Sequence, residues 1–110
     1  MRTIIAGGRD YSFTVEDIAF LDTLNISTVI SGCARGADRE GEMFAKVRGI
    51  PIEQYPADWA LHGKSAGPKR NRKMAAKADA VVLFPGGAGT DSMCREAMTL
   101  RLKIHDRRML

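Results

Sequence analysis

A chain of 110 residues, 45% hydrophobic and 27% charged, is long enough to bury one core and too short for two, so residues 1–110 read as a single domain. No apolar run approaches the length of a membrane span and no signal peptide precedes the first apolar stretch, so the expectation is a cytoplasmic protein with no membrane partner. The net charge of +4, from seventeen Lys and Arg against thirteen Asp and Glu, suits an anionic ligand without demanding nucleic acid. Cys33, Cys94, His62 and His105 lack the spacing of a disulfide framework or a metal site, and neither a metal nor a cofactor is expected.

Thr3-Ile4-Ile5-Ala6 is a short apolar run that enters Gly7-Gly8-Arg9-Asp10, as a buried parallel strand enters a loop. Thr14 with Asp17 forms a capping-box pattern. Ile18, Leu21 and Leu24, with Phe20 beside them, then give a helix from about Thr14 to Leu24 an apolar side. Ser27-Thr28-Val29-Ile30 predicts a second strand, opening through Ser31-Gly32-Cys33-Ala34-Arg35-Gly36-Ala37-Asp38 into a helix whose apolar side is Ala37, Gly41, Phe44 and Val47. Gly41 in mid-helix implies close packing on a sheet, and Gly49 with Pro51 stops the helix.

Ile50 to Tyr55 alternates, as a half-exposed strand near a sheet edge does. The stretch from Asp58 to Ala66 shows no period and reads as the longest loop and a lid. A helix follows, with Ser65 or Gly67 near its cap and Pro68 in its first turn. Its apolar stripe, Met74, Ala75 and Ala78, extends backward to Asn71, whose side chain either satisfies local backbone or points into a crevice beside Arg70. Ala80 to Phe84 is a fourth strand, and Met93, Ala97 and Leu100, with Cys94 alongside, make a last helix amphipathic, Asp91 and Arg95 pairing on its outer side. A weak strand around Lys103 to His105 ends the pattern. Arg72, Lys73 and the basic tail with Arg107 and Arg108 read as solvated.

Alternating β and α segments predict an α/β fold: a Rossmann-like open parallel sheet of four to five strands with helices on both faces. The glycine and polar clusters all follow strands, so they share the crevice at the strands' C-terminal ends. Candidate ligand-binding residues are therefore Gly7, Gly8, Arg9, Asp10, Ser31, Gly32, Asp38, Trp59, Arg70, Asn71, Pro85, Gly86, Gly87, Gly89 and Thr90. Within Pro85-Gly86-Gly87-Ala88-Gly89-Thr90 the glycines permit positive φ and close ligand approach, and Thr90 as a cap leaves first-turn amides free for an anion. Trp59, the only tryptophan, either stacks a purine or lids the core. Asp10 and Asp38 either take ribose hydroxyls or simply complement a helix dipole. Cys33 and Cys94 are reactive thiols at helix starts or small core residues.

The same loops, together with Ala57-Asp58-Trp59 and the run from Gly63 to Met74, resemble the YspA-like SLOG family over nearly the whole chain, in the family's motif order. The resemblance implies a Rossmann-like domain for nucleotides or nucleotide-derived ligands, related to the LOG phosphoribohydrolases and the DNA-processing protein Smf. It implies that Pro85 to Thr90 is a phosphate-binding turn, that Arg70 and Met74 lie on the LOG arginine helix, and that copies pair through the Gly67 to Ala78 helix into a homo-oligomer, a dimer in the simplest case. The LOG glutamate falls at Ser92, which leaves Asp10, Asp38 and Glu96 as candidate catalytic carboxylates. The leading expectation is thus a sensor or binding module for a nucleoside phosphate or an ADP-ribose type ligand. The alternatives are N-glycosidic cleavage of a nucleoside 5′-monophosphate and, ranked last because Lys69 to Lys77 contains no aromatic, single-stranded DNA binding.

Overall fold

The structure, a computed structural model, describes residues 1–109. Five strands alternate with helices: β1 (Arg2–Ala6), α1 (Val15–Asp22), β2 (Thr28–Ser31), α2 (Ala37–Arg48), β3 (Ile52–Gln54), α3 (Trp59–His62), a 3-10 turn (Gly63–Ser65), α4 (Ala66–Lys77), β4 (Ala80–Leu83), α5 (Ala88–Thr99) and β5 (Lys103–Asp106). They form one sheet in the order β3-β2-β1-β4-β5, every pair parallel. The α/β class and the parallel sheet are as the alternation requires.

Side chains alternate across a strand, so each central strand supplies both faces. Ile4, Ala6, Ile30, Val81 and Leu83 meet Met74 and Ala75 of α4 and Met93 and Ala97 of α5. Ile5, Val29, Val82 and Phe84 meet Leu21 of α1 and Ala37, Phe44 and Ala45 of α2 on the opposite face. Burying an aliphatic side chain of this kind contributes about 1.5–3 kcal/mol, so two apolar faces on one sheet dominate the stability. Gly41 lets α2 lie close to β1: a Cβ there would sit 3.0 Å from the Cβ of Ile5.

From β1 the chain steps outward through α1 and α2 to β2 and β3, then crosses back under α4 to β4 on the other side of β1. The loops after β1 and β4 therefore leave neighbouring strands in opposite directions and open a crevice between them.

Several local expectations are corrected. On α1 it is Asp17 and Leu21 that face inward, while Ile18 is 36% exposed. A carboxylate can take that inner position because Asp17 accepts from the Thr14 amide at 2.9 Å, from the Tyr11 hydroxyl and from Arg107 at 3.3 Å. The stripe of α2 is rotated toward Asp38 and Ala45, which leaves Val47 73% exposed. Leu100 lies past the end of α5 and is exposed. The aperiodic stretch after Asp58 is helical, Asp58 capping α3 by accepting from the Leu61 amide at 3.0 Å. Asp91 pairs with Arg108, at 3.0 Å, in place of Arg95. Nor is the tail solvated at Arg107 and Arg108: Arg107 lies over the Phe20 ring, 4.4 Å from its centroid, and Arg108 is also bonded to Asp106.

Candidate functional site at the strand ends

Three loops are tied together where the sheet reverses direction. The Gly8 amide donates to the Pro85 carbonyl at 2.8 Å, and the Gly8 carbonyl accepts from Tyr11 at 3.2 Å and Ala37 at 3.1 Å. Gly36, at φ +78°, is required for this approach, because a Cβ would fall 2.2 Å from the Gly8 oxygen. These contacts link β1, β2 and β4 into the floor of a cleft of about 1080 Å³.

On the β4 side the cleft is bounded by the start of α5. The N-cap is Gly87, at φ −113°, and not Thr90, which lies 5% exposed in the first turn. No glycine of this turn has positive φ. They serve space instead: a Cβ on Gly86 would meet Thr90 Oγ1 at 2.2 Å and the Gly8 nitrogen at 2.7 Å, whereas one on Gly87 or Gly89 would meet nothing within 4 Å. The first intrahelical bond runs from the Asp91 amide to the Gly87 carbonyl, so the amides of Ala88, Gly89 and Thr90 precede it at the positive end of the helix dipole.

Opposite, Arg70 projects from α4 into the cleft. Its Nε donates to Asn71 Oδ1 at 2.9 Å and its Nη1 to the Gly32 carbonyl, and burial lowers its pKa. Asn71 is 5% exposed, and its Nδ2 donates to the Gly89 carbonyl at 3.3 Å and to Ser92 Oγ at 3.2 Å. Of the two readings of this residue, the partners lie across the cleft on α5. Asp38 is 8% exposed and accepts from the Ala34 amide through Oδ2 at 3.1 Å. Desolvation pushes its pKa up to about 6, against the Ala34 hydrogen bond and the charge of Arg70. The indole of Trp59, 51% exposed, lies over Gly67 at the start of α4, on the cleft rim.

Gly7, Gly8, Arg9, Gly32, Asp38, Trp59, Arg70, Asn71, Gly87, Gly89, Thr90 and Glu96 all line this cleft. Asp10, Ser31, Pro85 and Gly86 do not. The Asp10 side chain is 94% exposed in a neighbouring depression, 3.5 Å from Arg35. Ser31 is sealed in the sheet, its hydroxyl donating to Glu42 at 2.6 Å. Pro85 and Gly86 contact the β1 loop instead, through the Pro85 carbonyl bonded to the Gly8 amide and the close approach of Gly86 to Gly8. Glu96 accepts from Arg72 at 3.2 Å. Cys33 has φ +67°, and burial raises its thiol pKa, which opposes an activated nucleophile; Cys94 accepts from Arg108 at 3.6 Å.

Sequence reasoning missed Arg35, Lys64, Arg72 and Arg95 as lining residues. For Arg95 a signal existed, since Ser92, Arg95 and Glu96 share one helical face at i, i+3 and i+4. With Arg9 and Arg70 they make six basic side chains around the cleft against two acidic ones, Asp38 and Glu96. Among the described residues no three His, Cys, Asp or Glu side chains gather as metal ligands would, and no helix is long and apolar enough to cross a membrane.

No family model matches the chain. The gene 61 protein of Mycobacterium phage D29 is 39% identical over 117 residues, covering 94% of this chain and 93% of that protein. Among solved structures, DNA processing protein A from Streptococcus pneumoniae matches with a TM-score of 0.69 at 18% identity, over 94% of this chain and 48% of the other. The chain thus spans about half the length of that structure. The likeness is one of fold, and it is the Rossmann-like fold that the Smf-related loops imply.

Proposed function

The chain belongs to the family of the gene 61 protein of Mycobacterium phage D29, and we propose that it is a binding module for a nucleotide-derived anion, a nucleoside phosphate or an ADP-ribose type ligand, held at the C-terminal ends of β1, β2 and β4. One observation carries the reading: six basic side chains surround a cleft into which the free first-turn amides of a helix and two side-chain-free glycine positions open. A phosphate fits the Gly87 to Thr90 amides, which offer directed donors and a favourable dipole. Arg70 is the counter-charge, held by Asn71 and Gly32 so that little freedom is lost on binding. Trp59 offers an exposed aromatic face at the rim for a base.

Binding without N-glycosidic cleavage is the favoured form of this reading. Of the two carboxylates in the cleft, Glu96 is engaged by Arg72 and Asp38 is bonded to the Ala34 amide, and Ser92 carries no charge. Single-stranded DNA is the second reading. It draws on the open, basic cleft beside Trp59 and on a fold shared with a protein named for DNA processing.

The test is native mass spectrometry of protein purified from cells, to identify a retained nucleotide, followed by calorimetry on Gly87→Val. A Cβ at Gly87 meets no protein atom, so the variant is expected to fold normally and to lose affinity by roughly tenfold or more. Unchanged affinity in that variant would put the phosphate seat elsewhere.

A further inference from the structure

We propose that Asp38 reads the sugar of the ligand, accepting hydrogen bonds from its hydroxyls and so making the cleft selective for ribonucleotide over 2′-deoxyribonucleotide ligands. The inference rests on the nucleotide reading of the cleft and narrows it to a ligand class.

Asp38 lines the cleft yet is 8% exposed, an uncommon state for a carboxylate without an ion-pair partner. Its Oδ2 is used by the Ala34 amide at 3.1 Å. Its Oδ1 has no donor among the described residues. It is not sealed in protein either, because among the described residues the buried side-chain polar atom without a partner is Arg107 Nε. The free oxygen therefore opens onto the cleft.

Arg70 is the nearest cation, and it does not neutralise this oxygen. Its Nη1 is committed to the Gly32 carbonyl, and Gly32 lies between the two side chains: a Cβ there would stand 2.7 Å from Arg70 Nη1 and 2.8 Å from Asp38 Oδ2. A side chain at position 32 would fill the gap that a ligand group can use.

An ionised carboxylate accepts and never donates, so it repels phosphate and attracts hydroxyl or amino groups. With its pKa near 6, Asp38 is ionised at neutral pH. The anion seat is at the end of β4 and Asp38 follows β2, with β1 between them. Two strand spacings, about 10 Å, separate the strands that carry them. A 5′-nucleotide with a hydrogen bond of about 3 Å at each end covers that distance, which sets the phosphate on α5 and the sugar hydroxyls at Asp38.

The experiment is calorimetric titration of the protein with the four ribonucleoside 5′-monophosphates, ADP-ribose, the matching 2′-deoxynucleotides and a deoxyoligonucleotide. The expected result is that a ribonucleotide binds and its deoxy counterpart is weaker by roughly tenfold or more, the scale for losing a hydrogen bond to a charged acceptor. Asp38→Asn, which retains an oxygen for the Ala34 amide, is expected to bring the ratio close to one, and its melting curve shows that it is folded. Equal binding of ribo and deoxy forms by the wild-type protein overturns the proposal and leaves the cleft reading standing. So does a ribo preference that Asp38→Asn leaves intact. Preference for the deoxyoligonucleotide over every ribonucleotide overturns it in favour of DNA. If no compound of the set binds, the proposal and the nucleotide reading both fall.

Discussion

Asp17 and Asp38 are both buried carboxylates, and their surroundings drive them in opposite directions. Burial alone would push the Asp17 carboxyl up, but bonds from Thr14, Tyr11 and Arg107 outweigh it and hold its pKa below the usual value. Its contribution to stability is thus present above the unfolded pKa and lost as pH falls through the folded one. Tyr11 is pushed up to about 12 by burial and by Asp17. Arg107, with 17% of its side chain exposed, completes the cluster. Arg107→Ala leaves Asp17 underpaired, with an expected loss of about 3 kcal/mol in urea unfolding at pH 7. Asp38 is the reverse case, its pKa raised to about 6 by desolvation. Its native form binds a proton more readily than the unfolded chain, so its ionisation lowers stability as pH rises from about 4 to about 6. Asp38→Asn is therefore expected to stabilise the fold at pH 7 by about 2 kcal/mol, with the gain fading toward pH 4. Melting curves across that range check the sign, and a gain that grows toward acid would contradict it.

At the scale of the element, the turn into α5 separates two uses of glycine that look alike in sequence. Gly86 is confined by Thr90 and by the backbone of Gly8, while Gly87 faces open space. Gly86→Ala is expected to lose about 2 kcal/mol from overpacking, and Gly87→Ala to stay within about 0.5 kcal/mol of the parent. Thermal melts of the two variants side by side test this. The helix α4 has a similar division of labour. Asn71, Met74 and Ala75 face inward and Arg70 reaches the cleft, while Lys69, Arg72, Lys73 and Lys77 are exposed. The short α3 is capped by Asp58 and carries Trp59 to the cleft rim, so the segment between β3 and α4 has a defined conformation there.

At the scale of the molecule, the strand order places the loops of β1 and β4 on either side of a single opening, and the cleft exists because the chain reverses direction there. The same architecture bears on self-association. A dimer paired through α4, as the LOG resemblance implies, would bring Lys69, Lys73 and Lys77 of two copies together across an isologous axis with no acidic residue on that helix to offset them. We expect the pairing face to lie elsewhere, so that Lys73→Glu leaves the sedimentation coefficient unchanged at micromolar concentration. A dimer lost on that substitution would restore α4 as the interface, and a clean monomer of 12 kDa would remove pairing altogether.

The parallel sheet was legible in the sequence because two local signals agree: short apolar runs such as Thr3 to Ala6 and Ala80 to Phe84 read as buried strands, and each is followed by a glycine cluster that reads as a turn. Burial on both faces of a strand leaves its mark residue by residue in the chain itself, and so does a glycine forced by a close approach. Eleven of the fifteen residues expected at the strand ends line the cleft for the same reason. What was not readable depends on partners remote in sequence. Asp17 faces inward because Arg107, ninety residues later, reaches it; the helical period alone placed Ile18 there. Thr90 and Gly86 have the roles they do because they press on one another and on Gly8, and the positive rim of the cleft is assembled from Arg9, Arg35, Lys64, Arg70, Arg72 and Arg95, which belong to four separate segments. A periodicity records which face of an element is dry, but the sum of charges around a cavity is set only when the elements pack, since electrostatic interaction depends on distance in space and not along the chain.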